Sequence, residues 1–257
     1  MRMATMTWPA VQTYFQTHDM VMFALGSVEC HGRQNPLGTD FLVPDHLVSL
    51  VEQKSDVLVA PTLPYGACDY FVGFPGTVSL GVDLLTQLLE KITSCLYGYG
   101  ARKFVILNGH GGNSPAIETV GYALHDKGAL LAELNWWKMA GQIKKEWGGG
   151  HGGAEETAAV MAINPDWVDA SQLDAPNPIT SIGPGFSASG LHTQRLEGVD
   201  VTIPRRVSRT TDNGWWGPDS PTEAAASWGG EMLQAVADYV VRFLEKFKEC
   251  SCARDGE

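Results

Sequence analysis

Short apolar runs bounded by turn formers alternate with longer stretches of helical period. Val21 to Leu25 is a continuous apolar run that stops at Gly26, the pattern of a strand buried on both faces. Asp56 to Ala60 repeats it and ends at Pro61, Phe104 to Leu107 ends at Asn108-Gly109, and Leu130 to Leu134 makes a fourth. Between them, Leu84, Leu85, Leu88, Leu89, Ile92 and Leu96 share one helical stripe and are expected in the core. Ser114-Pro115 opens a further helix, with proline in its tolerated first turn, that stops at Lys127-Gly128. Ala154 to Ile163 is another, ended by Asn164-Pro165. Ser220-Pro221-Thr222-Glu223 has the form of a capping box before a helix whose apolar face is Met232, Val236, Tyr239, Val240, Phe243 and Phe247.

Strands alternating with helices as far as Pro165 predict an α/β fold with a mainly parallel sheet covered on both faces. Residues 170 to 220 carry little period and much Gly, Pro and Ser, so long loops with short strands are expected there. The expectation is a single domain over residues 1–248, followed by a polar tail, residues 249–257, that holds Cys250 and Cys252.

Composition narrows the function classes. The 257 residues are 44% hydrophobic and 18% charged, which excludes disorder and coiled coil. Lys and Arg total 18 against 29 Asp and Glu, a net charge of −11 with no basic cluster, so no nucleic-acid partner is expected. No run of roughly 18 apolar residues is present, so no membrane partner is expected either. Met1 to Pro9 lacks the basic start and apolar core of a signal peptide. Five cysteines at irregular spacing do not make a disulfide framework, and a cytoplasmic location fits them.

Three glycine-rich polar segments carry the chemistry. Gly26-Ser27-Val28-Glu29-Cys30-His31-Gly32 continues through Pro36-Leu37-Gly38-Thr39 to Asp40. Asn108-Gly109-His110-Gly111-Gly112-Asn113 is the second, and His151-Gly152-Gly153-Ala154-Glu155-Glu156-Thr157 the third. The first two follow strands, where open α/β sheets bind their ligands. Their side chains offer two imidazoles and three carboxylates, Glu29, His31, Asp40, His110 and Glu156, a nitrogen and oxygen set suited to zinc, manganese or iron. Five ligands exceed one catalytic ion's needs and fit two divalent metal ions bridged by one carboxylate. His18, His46, His125 and His192 lack glycine flanks and are read as structural or surface residues.

These motifs, with Phe74-Pro75-Gly76-Thr77, run in an order that resembles the creatininase (creatinine amidohydrolase) family over roughly residues 5 to 245. The resemblance implies a three-layer α/β/α sandwich and a homo-oligomer, a hexamer in many members. It implies one metal on Glu29, Asp40 and His110, and a second on His31, Asp40 and Glu156, with Asp40 bridging. Creatininase itself carries a ligand Glu where this chain has Gly112. The glycine-rich version occurs in other branches, so creatinine is not the expected substrate. The expected mechanism has metal-activated water attack a carbonyl carbon, with His151 either protonating the leaving nitrogen or donating to the oxyanion. Trp137 and Trp147 match substrate-side tryptophans. The stretch before Phe74, where the family often has Ser and His, here offers Cys68 and Asp69 as substrate contacts, with Phe71 in place of the His.

The expected activity is hydrolysis of a C–N bond in a small cyclic amide or formamide. The alternative is hydrolytic C–C ring opening of a cyclic diketone such as a dehydro-inosose. A non-catalytic metal-binding protein is the third possibility. Trp215-Trp216-Gly217-Pro218 stands as a candidate pocket or interface segment.

Overall fold

The computed structural model describes residues 1–251. Of the expected tail, residues 252–257, with Cys252, lie outside the described residues. In chain order the elements are α1 (Trp8–Tyr14), β1 (Met20–Leu25), α2 (Thr39–Val51), β2 (Leu58–Val59), α3 (Gly81–Tyr99), β3 (Lys103–Asn108), α4 (Ser114–His125), β4 (Leu130–Asn135), α5 (Trp136–Ile143), α6 (Ala154–Ile163), β5 (Phe186–Ala188), β6 (Thr193–Leu196), β7 (Val199–Thr202) and α7 (Ala226–Phe247). The first four strands form one parallel sheet in the order β2-β1-β3-β4.

Burial on both faces explains why β1 and β3 read as unbroken apolar runs. Met20, Met22 and Ala24 of β1 face a core built with α2, α5, α6 and α7. Val21, Phe23 and Leu25 face the opposite core, built with α3 and α4. The result is the three-layer α/β/α sandwich. Among the described residues no helix is long and apolar enough to cross a membrane.

The structure departs from the pattern reading in two places. Of the stripe on α3, Leu85, Leu89 and Leu96 are buried, but Leu84 is 53% and Leu88 37% exposed. The stripe is wider than the face the sheet can cover. The capping box does not start α7: Ser220 accepts from the Thr222 N–H and closes a single 3-10 turn, Pro221–Glu223, and the helix begins at Ala226. The region after α6 is, as expected, long loops with short strands, and these pair into a small antiparallel sheet, β5-β6-β7.

The α2 helix matters most for function. Pro44 lies inside it and lacks the N–H that would bond the Asp40 carbonyl. That carbonyl instead meets the backbone of Gly26 and Gly109, which leave β1 and β3. A methyl group at Gly109 would overlap the Asp40 carbonyl oxygen and crowd Pro44. Gly109→Ala is therefore expected to cost at least ~1–3 kcal/mol and to lower metal affinity as α2 is pushed from the strand ends. Chemical denaturation and elemental analysis check this, and wild-type values in both would show that the contact is not needed.

Candidate metal centre

The site lies beyond the carboxyl ends of β1 and β3, the two central strands. Glu29 and His31 follow β1, His110 follows β3, Asp40 sits in the first turn of α2, and Glu156 in the first turn of α6. All five side chains are buried. The two helix first turns favour carboxylates through their free N–H groups.

Hydrogen bonds set the direction of each side chain. Ser27 Oγ donates to Glu29 Oε2 at 2.7 Å, which leaves Oε1 for the centre. His31 Nδ1 lies 3.1 Å from its neighbouring Glu29 carbonyl, which accepts its proton and turns Nε2 inward. The Gly152 N–H donates to Glu156 Oε2 at 2.6 Å. Asn108 Oδ1 accepts from the His110 N–H and from Asn113 Nδ2, while Asn113 Nδ2 also donates to the Gly26 carbonyl. The ends of β1 and β3 are thereby tied together under His110.

Asp40 divides its two oxygens between two clusters. Oδ1 is 2.8 Å from His31 Nε2, which is also 3.6 Å from Glu156 Oε2. Oδ2 is 3.0 Å from His110 Nδ1, itself 3.1 Å from Glu29 Oε1. Within each trio, Glu29-Asp40-His110 and His31-Asp40-Glu156, the ligand atoms all lie within 4.8 Å of one another. Glu29 Oε1 and Asp40 Oδ2 are buried without a hydrogen-bond partner, a costly state for carboxylate oxygens. Such orphaned lone pairs facing an imidazole nitrogen fit a cation held between them.

The carboxylates and imidazoles of the two trios also shift one another's ionisation. Burial opposes charge on His31, but Asp40 and Glu156 outweigh it and raise the imidazole to about 10. His110 is likewise raised well above its ordinary value by Glu29 and Asp40, against burial. Burial also opposes ionisation of Asp40, which His31 and His110 nonetheless hold low. Burial raises Glu29, and it lifts Glu156 to about 7. His151 goes the other way: burial and then His31 hold it well below its ordinary value, so its ring is neutral.

The His151 ring packs between His31, at 4.3 Å between centroids, and Phe71, at 4.2 Å. Its Nε2 is 2.7 Å from the Cys30 carbonyl, which accepts its proton, and Nδ1 stands 3.8 Å from Glu29 Oε1. Asp219 holds the surrounding turn: its carboxylate accepts from the N–H groups of Gly150 at 2.8 Å and Glu155 at 2.9 Å. Trp216 donates its N–H to the His151 carbonyl at 2.7 Å, so the Trp215-Trp216-Gly217-Pro218 segment braces the His151 turn from outside.

A cavity of about 240 Å³ opens onto Asp40, His110, His151 and Glu156, with Tyr70, Phe71, Trp137, Glu155 and Leu191 among its walls. Trp137 is thus in the cavity wall. Trp147 is buried and lines a neighbouring cavity with Glu155, Asp219 and Trp228. Cys68 is fully buried against Phe71 and Val207, and Asp69 is exposed at the start of a 3-10 turn. Neither lines the site cavity; the next two residues, Tyr70 and Phe71, do.

Pattern reading passed over Tyr70, Glu155, Leu191 and Asp219. Glu155 is 3% exposed, its Oε1 has no partner, and burial with Glu156 and Asp219 pushes its carboxyl up to about 9. Two adjacent carboxylates at a helix start were the available signal for it. Leu191 and Asp219 have none, because distant segments bring them in.

The family model described as Creatinine amidohydrolase matches residues 4–244. The chain is 30% identical to the mycofactocin precursor peptide peptidase of Mycolicibacterium smegmatis, over 87% of this chain and 85% of the relative. It is also 30% identical to the creatinine amidohydrolase of Pseudomonas putida, over 68% and 76% respectively. A solved creatininase variant of the Zn-Zn type superposes with a TM-score of 0.73 at 24% identity, over 96% of this chain and 98% of the other.

Proposed function

This chain belongs to the creatininase family of metal-dependent amidohydrolases, and we propose that it hydrolyses a C–N bond in a small cyclic amide or formamide with two divalent ions. Glu29, Asp40 and His110 would hold one ion, and His31, Asp40 and Glu156 the other, with Asp40 shared. The observation that carries this assignment is the split of the Asp40 carboxylate between two buried trios, each with one histidine and two carboxylates. Zinc, manganese and iron all suit such ligands.

When bound, the ions acidify a water from a pKa of 15.7 toward ~7 and polarise the scissile carbonyl. The chain's own groups do the rest. His151 is neutral, with its Nε2 proton committed to the Cys30 carbonyl, so Nδ1 is free to take a proton and return it to the leaving nitrogen. Phe71 and Leu191 keep the cavity walls apolar and limit water, while Trp137 offers a flat face to a planar amide. The 240 Å³ volume suits a small substrate or one residue of a larger one.

Purified protein is expected to carry two divalent ions per subunit by elemental analysis. It should lose hydrolysis of an amide and formamide panel on chelation and regain it with zinc, manganese or iron. Chelator-resistant hydrolysis would sink the assignment. Metal-dependent opening of a cyclic diketone, with every amide untouched, would keep the ions and replace the C–N bond.

A further inference from the structure

Tyr70 stands in the wall of the site cavity, with its hydroxyl 3.1 Å from His110 Nε2. The direction of that hydrogen bond follows from the other side of the ring. His110 Nδ1 faces Glu29 Oε1 and Asp40 Oδ2, so as a metal ligand it carries no proton and the ring's proton must sit on Nε2. Nε2 also lies 3.2 Å from the Ala67 carbonyl, which can only accept. Nε2–H therefore donates toward Ala67 and Tyr70, and the Tyr70 oxygen is an acceptor in this contact. Among the described residues no other group hydrogen-bonds to that oxygen. The phenolic proton has no acceptor among the described residues, and it borders the cavity.

The ring is held firmly enough to aim that proton. Its edge meets His192, on the turn between β5 and β6, in a T-shaped contact at 4.4 Å, and it lies nearly parallel to His110 at 5.8 Å. We propose that Tyr70 is a catalytic residue whose hydroxyl donates a hydrogen bond to the carbonyl oxygen of the amide substrate. That bond strengthens as negative charge grows on the oxygen during water attack. The assignment rests on His110 serving as a ligand through Nδ1, and so on the hydrolase reading above. No proton is transferred: the phenol keeps its hydrogen throughout.

Tyr70→Phe retains the ring and its packing, which makes it the direct test. In metal-loaded enzyme, kcat on the best amide of the panel is expected to fall about 10²–10³-fold. KM should stay within a few-fold and elemental analysis should find metal unchanged. Methylphosphonate, a tetrahedral oxyanion, serves as a probe that needs no turnover, and calorimetry should show its affinity drop at least about tenfold in the variant. Unchanged kcat and unchanged methylphosphonate affinity overturn the assignment. Loss of metal in Tyr70→Phe also overturns it, since the hydroxyl would then act by positioning His110. Failure of the hydrolase reading is separate, because it would show in the wild type as activity that survives chelation.

Discussion

His110→Ala and Glu156→Gln should each empty at least their own metal trio and abolish activity, while the fold survives. His110 supplies the nitrogen of one trio and Glu156 a carboxylate of the other. Either loss leaves two protein ligands where a catalytic ion needs three or more. The expected fall in kcat/KM is ~10⁴-fold or more, about 5.5 kcal/mol of lost transition-state stabilisation. Glu156→Gln is the cleaner variant, because an amide oxygen can still accept the Gly152 N–H that now bonds Oε2 at 2.6 Å. His110→Ala removes one of the nitrogens packed against Glu29 and Asp40, so its circular dichroism should be checked first. Elemental analysis against wild type decides the matter. Full metal occupancy in both variants would show that these residues are not ligands.

His151→Ala should separate chemistry from metal binding. With His151 as the proton carrier, kcat falls ~10²–10⁴-fold while both ions stay bound. The geometry restricts how the ring can act: Nε2 is tied to the Cys30 carbonyl, so only Nδ1 faces the centre. Added imidazole should restore part of the rate by entering the space between His31 and Phe71, where the ring was packed. One competing role is also visible, because His151 forms a third potential ligand group with Glu29 and His31. Metal loss in the alanine variant would make His151 a ligand, and an unchanged kcat would reduce it to packing.

The five ligand candidates could be found from local pattern because each lies in a glycine-rich polar segment or at a helix start, and two of the three segments open just past an apolar run. Their pairing into two trios could not be read in the same way. Asp40 reaches both trios because Pro44 leaves its carbonyl free and Gly26 and Gly109 let α2 settle onto the strand ends. That is a contact between three segments, invisible in any one of them. The substrate side was less legible still. Cys68 and Tyr70 are two residues apart, yet a 3-10 turn sends one into the core and the other into the cavity wall. In the same way α3 exposes Leu84 and Leu88, because hydrophobic period shows which face is apolar but not how much of it a sheet will cover.

The amino-acid sequence by itself determined the alternating β and α elements, the parallel sheet and the identity of the groups able to hold metal. Those depend on short-range period and on side-chain chemistry. The tertiary structure alone decided which oxygen faces which imidazole, that His151 presents Nδ1, and that Tyr70 rather than Asp69 borders the site. Those are matters of direction at the scale of one hydrogen bond, and direction is set only when distant backbones come to rest against each other.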